Sequence, residues 1–202
     1  MTPDYYNTIE KESFAEYKER GSRFLAYAFP IHTVDDFKKR LKDLKEGHPK
    51  AAHYCFSYRL GIDGNNFRSV DDGEPPGTAG KPILGQIDSK GLTNVAVIVV
   101  RYFGGSLLGV PGLIYAYKTA SSLVLQTTPV VQKAIEINYF LKFDYTRMNE
   151  VMRIIKKFNC SIHKQDIQLF CEMGIGIPKA NHELCIIRLK DLAGVELEKI
   201  IM

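Results

Sequence analysis

The sequence predicts an α+β protein in two domains, and three observations carry that expectation. An apolar run at residues 95–100, VAVIVV, is rich in branched side chains and far too short to cross a bilayer, so it reads as a buried strand. A segment opening at Thr33 has a capping residue, an acid three positions later and apolar residues at Val34, Phe37, Leu41 and Leu44, which is one face of a helix. A break at Thr127, Thr128 and Pro129 is followed by a second succession of strand and helix patterns.

The elements follow in order. Residues 8–19 and 22–30 read as extended, the second rich in aromatics and ending at Pro30. The helix from Thr33 ends at Gly47 and Pro49. HYCFSYRL (53–60) is a strand, GIDGNN a turn and residues 67–70 a short return strand. DDGEPPGTAG is loop chemistry, and Ile83, Leu84 and Ile87 predict a helix from about Gly80 to Ser89. The buried strand at 95 comes next, then a second glycine-rich loop, GGSLLG. Leu113, Tyr117, Ala120 and Val124 mark a helix that runs to Leu125.

The first domain is therefore placed at residues 1–128 and the second at 129–202. The second reads as strand 131–144, helix 147–158, strand 162–172, turn GIGIPKAN and strand 183–190. That is most of a ferredoxin-like split βαβ unit, with too little chain after Lys190 for a second helix and a fourth strand, so an abbreviated domain is expected.

Lys and Arg number 27 and Asp and Glu 23, a net charge of +4. The excess is mild and divides evenly, +2 in each domain (16 against 14 and 11 against 9), so it permits a nucleic-acid partner without demanding one. The N-terminal stretch is polar with no apolar core, so no secretory signal is expected. Cys55, Cys160, Cys171 and Cys185 share no C-x-x-C spacing and read as free thiols of a reducing, cytoplasmic compartment. A membrane partner is not expected.

Function is expected in residues 71–112. The first loop holds Asp71, Asp72, Gly73, Glu74, Gly77, Thr78, Gly80 and Lys81. Small residues let a ligand approach the backbone, amides ahead of a helix can hold an anion, and Lys81 adds positive charge. The second loop, at the end of the buried strand, offers Arg101, Tyr102, Gly104, Gly105, Ser106 and Gly109. Arg101 interrupts an apolar strand, and two readings stay open: a structural ion pair with Asp71, Asp72 or Glu74, or a guanidinium exposed to a phosphate or carboxylate. The loops are expected to meet and line one cleft.

No P-loop and no dinucleotide fingerprint occurs, so no cofactor is called for. The acids of the first loop lack a calcium-loop spacing, and no metal site is assigned. His53 shares a strand face with Cys55, but no catalytic set is legible.

The blocks DDGEPPGTAGKPIL and VIVVRYFGGSLLGVPGL, with AAHYCFSYRL and RGSRFLAY ahead of them, resemble the IMPACT family in its bacterial YigZ branch. The resemblance covers most of residues 8–125. It implies a first domain like the second domain of small-subunit ribosomal protein five and a second like the last, ferredoxin-like domain of elongation factor G. It also implies a translation-associated role with ribosome, RNA or a translation factor as partner; the eukaryotic relatives act through protein contacts that restrain a kinase of translation initiation. The family's characteristic positions fall on Asp71, Asp72, Gly73, Glu74, Gly77, Thr78, Ala79, Gly80, Arg101, Phe103, Gly104, Gly105, Leu108 and Gly109. This chain departs at Pro76, at Val110-Pro111, at Leu107 and at Tyr115, the last two standing where basic residues are common. Those losses weaken the case for a phosphate-rich partner and leave open a protein-interaction module or a small-metabolite enzyme using the same loops.

Overall fold

The computed structural model describes residues 3–200, and its contacts divide the chain into two compact units. One is Tyr6–Lys133; the other is built from Ala134 onward together with the residues up to Tyr5.

In the first unit, β2 (Ser13–Glu19), β3 (Ser22–Pro30), β4 (His53–Leu60), β5 (Asn66–Val70) and β6 (Val95–Tyr102) form one antiparallel sheet in the order β2-β3-β6-β4-β5. Strand β6 lies at the centre, which explains why its side chains are apolar on both faces. One face packs on α2 (Gly80–Ser89) and α3 (Gly109–Thr127), through Val95, Val97 and Val99 against Ile83, Ile87, Tyr117 and Val124. The other face packs on α1 (Val34–Gly47), through Ala96 and Ile98 with Phe37, Phe56 and Tyr58. The start of α1 is the expected capping box: Thr33 Oγ1 accepts from the Asp36 amide, and the Asp36 carboxylate accepts from the Thr33 amide. Strands β1 (Tyr5–Ile9) and β7 (Val130–Ala134) pair as a separate two-stranded sheet.

The second unit runs β8 (Glu136–Asp144), α4 (Met148–Lys157), β9 (Ser161–Ile167), β10 (Phe170–Pro178), α5 (His182–Lys190) and β11 (Val195–Lys199). Its antiparallel sheet has the order β11-β8-β10-β9, with Leu141, Phe143, Met173 and Ile175 packed on Val151 and Ile155 of α4 and Cys185 and Leu189 of α5.

All six elements of a β-α-β-β-α-β unit are therefore present, and the expectation of an abbreviated domain is corrected. Two misreadings produced it. Residues 162–172 are not one strand but nearly all of β9, a tight connection and the start of β10, while GIGIP is strand rather than turn. Gly176 lies where side chains of both neighbouring strands cross over the backbone: a Cβ there would run into Glu136 and Ser161. Residues 183–190 look β-prone, yet Cys185 and Leu189, four apart, bury one helical face.

Candidate functional site

The site lies within the first unit, where the two glycine-rich loops meet over the α2/α3 face of the sheet. A pocket of about 340 Å³ is lined by Glu74 and Pro75 of the first loop, Phe103, Leu107 and Leu108 of the second, Gly109, Val110 and Leu113 of α3, and His53 and Arg101 of the sheet.

Its floor is a buried polar network. Arg101 Nη1 donates to Glu74 Oε1 at 2.5 Å, and both side chains are more than nine-tenths buried. The same carboxylate oxygen accepts from Tyr117 Oη at 2.8 Å, and His53 Nε2 stands 3.8 Å from it. His53 Nδ1 lies 2.8 Å from the Asp72 carbonyl, which can only accept, so this nitrogen carries the proton and donates. Nε2 is left facing Glu74. The guanidinium lies over the rings of Phe24 and Phe103, and Nη2 reaches Ser22 Oγ, while Nε has no partner.

Cys55 is closed off beneath this network. Its thiol lies 2.9 Å from the Asp71 carbonyl and 3.2 Å from Tyr117 Oη, and burial pushes its pKa up. Burial, then the neighbouring Cys55 and Glu74, raise that of Tyr117. A thiol held protonated with no solvent access is not a nucleophile.

The first loop is organised by its own acids. The Asp71 carboxylate accepts from the amides of Gly77, Ala79 and Gly80 at 2.8–3.0 Å, and Asp72 accepts from the amide of Tyr54. Burial pushes the Asp71 carboxyl up, but the three amides outweigh it and hold the pKa below the usual value. This corrects the expectation of an anion cradle: the amides ahead of α2 are already occupied by Asp71. Thr78 is buried and bonded to the Pro75 carbonyl. Gly80 is needed because a Cβ there would stand 2.7 Å from the Val70 amide nitrogen.

The second loop is pinned from outside. Gly104 packs so closely on the turn between β2 and β3 that a Cβ would lie inside the backbone of Gly21 and Ser22, and its amide donates to Ser22 Oγ.

Of the residues expected to bind a ligand, Glu74, Arg101 and Gly109 line the pocket. Asp71, Asp72, Gly77, Thr78, Gly80 and Gly104 shape the loops. Lys81, Gly105 and Ser106 are exposed and do not line it. Tyr102 is corrected outright: alternation along β6 sends it to the α1 face, where its hydroxyl meets His48 Nδ1. Arg101 takes the ion-paired of its two readings, with Glu74 as the partner. His53, Tyr117 and Ser22 complete the network, and no spacing in the sequence announces that they converge.

The pocket's rim is apolar. Leu107 is 84% exposed and Val110 51%, Phe103 stands beside them, and Ile114 extends the patch one turn along α3.

The chain matches the Impact N-terminal domain over residues 20–125, which contains every residue of this pocket. It is 31% identical over 163 residues to the IMPACT family member YigZ of Escherichia coli, covering 80% of each chain. The chain belongs to the IMPACT family. An IMPACT family member of Thermus thermophilus is 42% identical over 108 residues, covering 54% of this chain and 57% of that one. A crystal structure of a hypothetical protein superposes with a TM-score of 0.77 at 27% identity, over 98% of both chains. No helix among the described residues is long and apolar enough to cross a membrane.

Proposed function

We propose that this chain, of the YigZ branch of its family, is a non-enzymatic, translation-associated regulator. It docks a protein component of the ribosome, or a translation factor, in the pocket between the two glycine-rich loops. The observation that carries this is the rim: Phe103, Leu107, Val110 and Ile114 present apolar surface to solvent around a pocket walled by Leu108 and Leu113. Surface of this kind is retained for a partner that covers it.

The floor favours a protein over a phosphate backbone. Arg101, the one arginine or lysine of the lining, is paired with Glu74, so the lining offers no unpaired arginine or lysine to a phosphate. The partner contributes an apolar side chain, and the Arg101–Glu74 pair holds the two loops at the spacing that receives it. The link to translation rests on family membership and on the eukaryotic relatives' control of an initiation kinase. The proposal includes fold kinship of the first unit with the second domain of ribosomal protein five and of the second unit with the last domain of elongation factor G. The strand order β11-β8-β10-β9 supports the second kinship.

Sedimentation with purified ribosomes across a salt series tests this reading. Apolar docking keeps association nearly flat from about 50 to 200 mM salt, whereas an RNA contact through several phosphates loses orders of magnitude over that range. A steep loss supports RNA as the partner and removes the protein reading; no sedimentation at any salt removes the ribosome.

A further inference from the structure

A second chemical site lies in the other unit. Cys160 follows α4 at the entry to β9 and is partly exposed, while Cys185 sits inside α5 and is buried. Their sulfur atoms are 3.6 Å apart. Neighbouring backbone holds them there: the Cys160 amide donates to the Ile155 carbonyl, and Asn181 Nδ2, at the entry to α5, donates to the Phe158 carbonyl at the end of α4. The other two thiols are occupied differently, Cys55 with Asp71 and Tyr117 and Cys171 with the Gln168 carbonyl.

We propose that Cys160 and Cys185 form a peroxide-reactive modification site that closes to a disulfide. Solvent reaches Cys160 and not Cys185, so the Cys160 sulfur takes the oxidant. It attacks one peroxide oxygen, the O–O bond breaks, and the departing hydroxide leaves as water with the thiol's proton. Cys160 is then a sulfenic acid. The Cys185 sulfur attacks the Cys160 sulfur, the S–O bond breaks, and the second hydroxide leaves as water with the Cys185 proton. Two thiols lose two electrons in all, and one hydrogen peroxide becomes two waters. The sulfurs close by about 1.5 Å to reach bonding distance, a movement within reach of side-chain rotation. The product ties the residue ahead of β9 to α5 and restricts the unfolded chain by closing a loop between positions 25 apart. Oxidation of the cell thereby makes the second unit more rigid.

The test treats the full-length reduced chain with one equivalent of hydrogen peroxide. Thiol titration under denaturing conditions should fall from four to two. Digestion without reduction should give a cross-linked peptide pair holding Cys160 and Cys185, and the melting temperature should rise and return with dithiothreitol. In Cys185→Ser the reaction stops one step early, and dimedone labels Cys160. Four remaining thiols, or a cross-link through Cys171 or between chains, overturns the proposal. So does dimedone labelling of Cys185 in Cys160→Ser at the rate seen for Cys160 in Cys185→Ser.

Discussion

Arg101 and Glu74, 27 residues apart, form a buried ion pair at 2.5 Å that joins the end of the central strand to the first glycine-rich loop. The pair explains how an arginine is tolerated in a strand whose preceding residues are all Val, Ala and Ile. Replacing Arg101 with Ala leaves the Glu74 carboxylate buried with only Tyr117 and His53 near it, and should cost about 3–5 kcal/mol. Changing both residues, as in Glu74→Gln with Arg101→Met, should cost less than Arg101→Ala alone. Urea unfolding of the two variants checks this, and equal losses in both would remove the pair's role.

Asp71 should make the first loop sensitive to acid. Its carboxylate is stabilised by three amides in the folded chain, so its folded pKa lies below the 3.8 of the free group. The stabilisation is complete well above 3.8 and is lost as pH falls through the lower folded value. Asp71→Asn should therefore unfold more easily than the parent at pH 7, by about 1–3 kcal/mol, and the gap should narrow as pH falls below the 3.8 of the free group. A gap that is constant with pH would contradict this.

Gly104 should resist the smallest enlargement. A methyl group there meets backbone, not a flexible side chain, so Gly104→Ala must push the second loop off the turn at Gly21. A loss of about 1–3 kcal/mol is expected, with Gly105→Ala as the comparison in open space but at positive φ. Thermal unfolding of both variants separates steric overlap from backbone strain.

Much of this architecture was legible because it is local. Thr33 and Asp36 are three residues apart, and the helix start they predict is the one found. The strand at 53–60 and the helix at Gly80–Ser89 follow from short-range periodicity. The Arg101–Glu74 pair was among the readings the sequence offered, but its convergence with Ser22, His53 and Tyr117 was not legible, because the five residues come from five segments and share no spacing. Tyr117 sits in a helix stripe that core packing explains, and only the fold shows its hydroxyl on Glu74. Tyr102 could have been placed from the sequence: adjacent strand residues face opposite ways, so it cannot join Arg101 in one pocket. The second unit was misread where β propensity in CIIRL competed with a helical face set by Cys185 and Leu189, and tertiary burial decided.

The central claim is that a protein partner seats on the apolar rim, and a paired substitution tests it most directly. Leu107→Asp with Val110→Asp places two charges on exposed positions, so the fold should melt within a few degrees of the parent. Ribosome sedimentation should nevertheless fall at least about tenfold, the loss of roughly 1.4 kcal/mol or more from a docking contact. Lys81→Glu, a charge reversal outside the pocket lining, should leave sedimentation unchanged. Undiminished sedimentation of the Leu107/Val110 variant, with loss in Lys81→Glu, would contradict the account and move the contact to the basic surface.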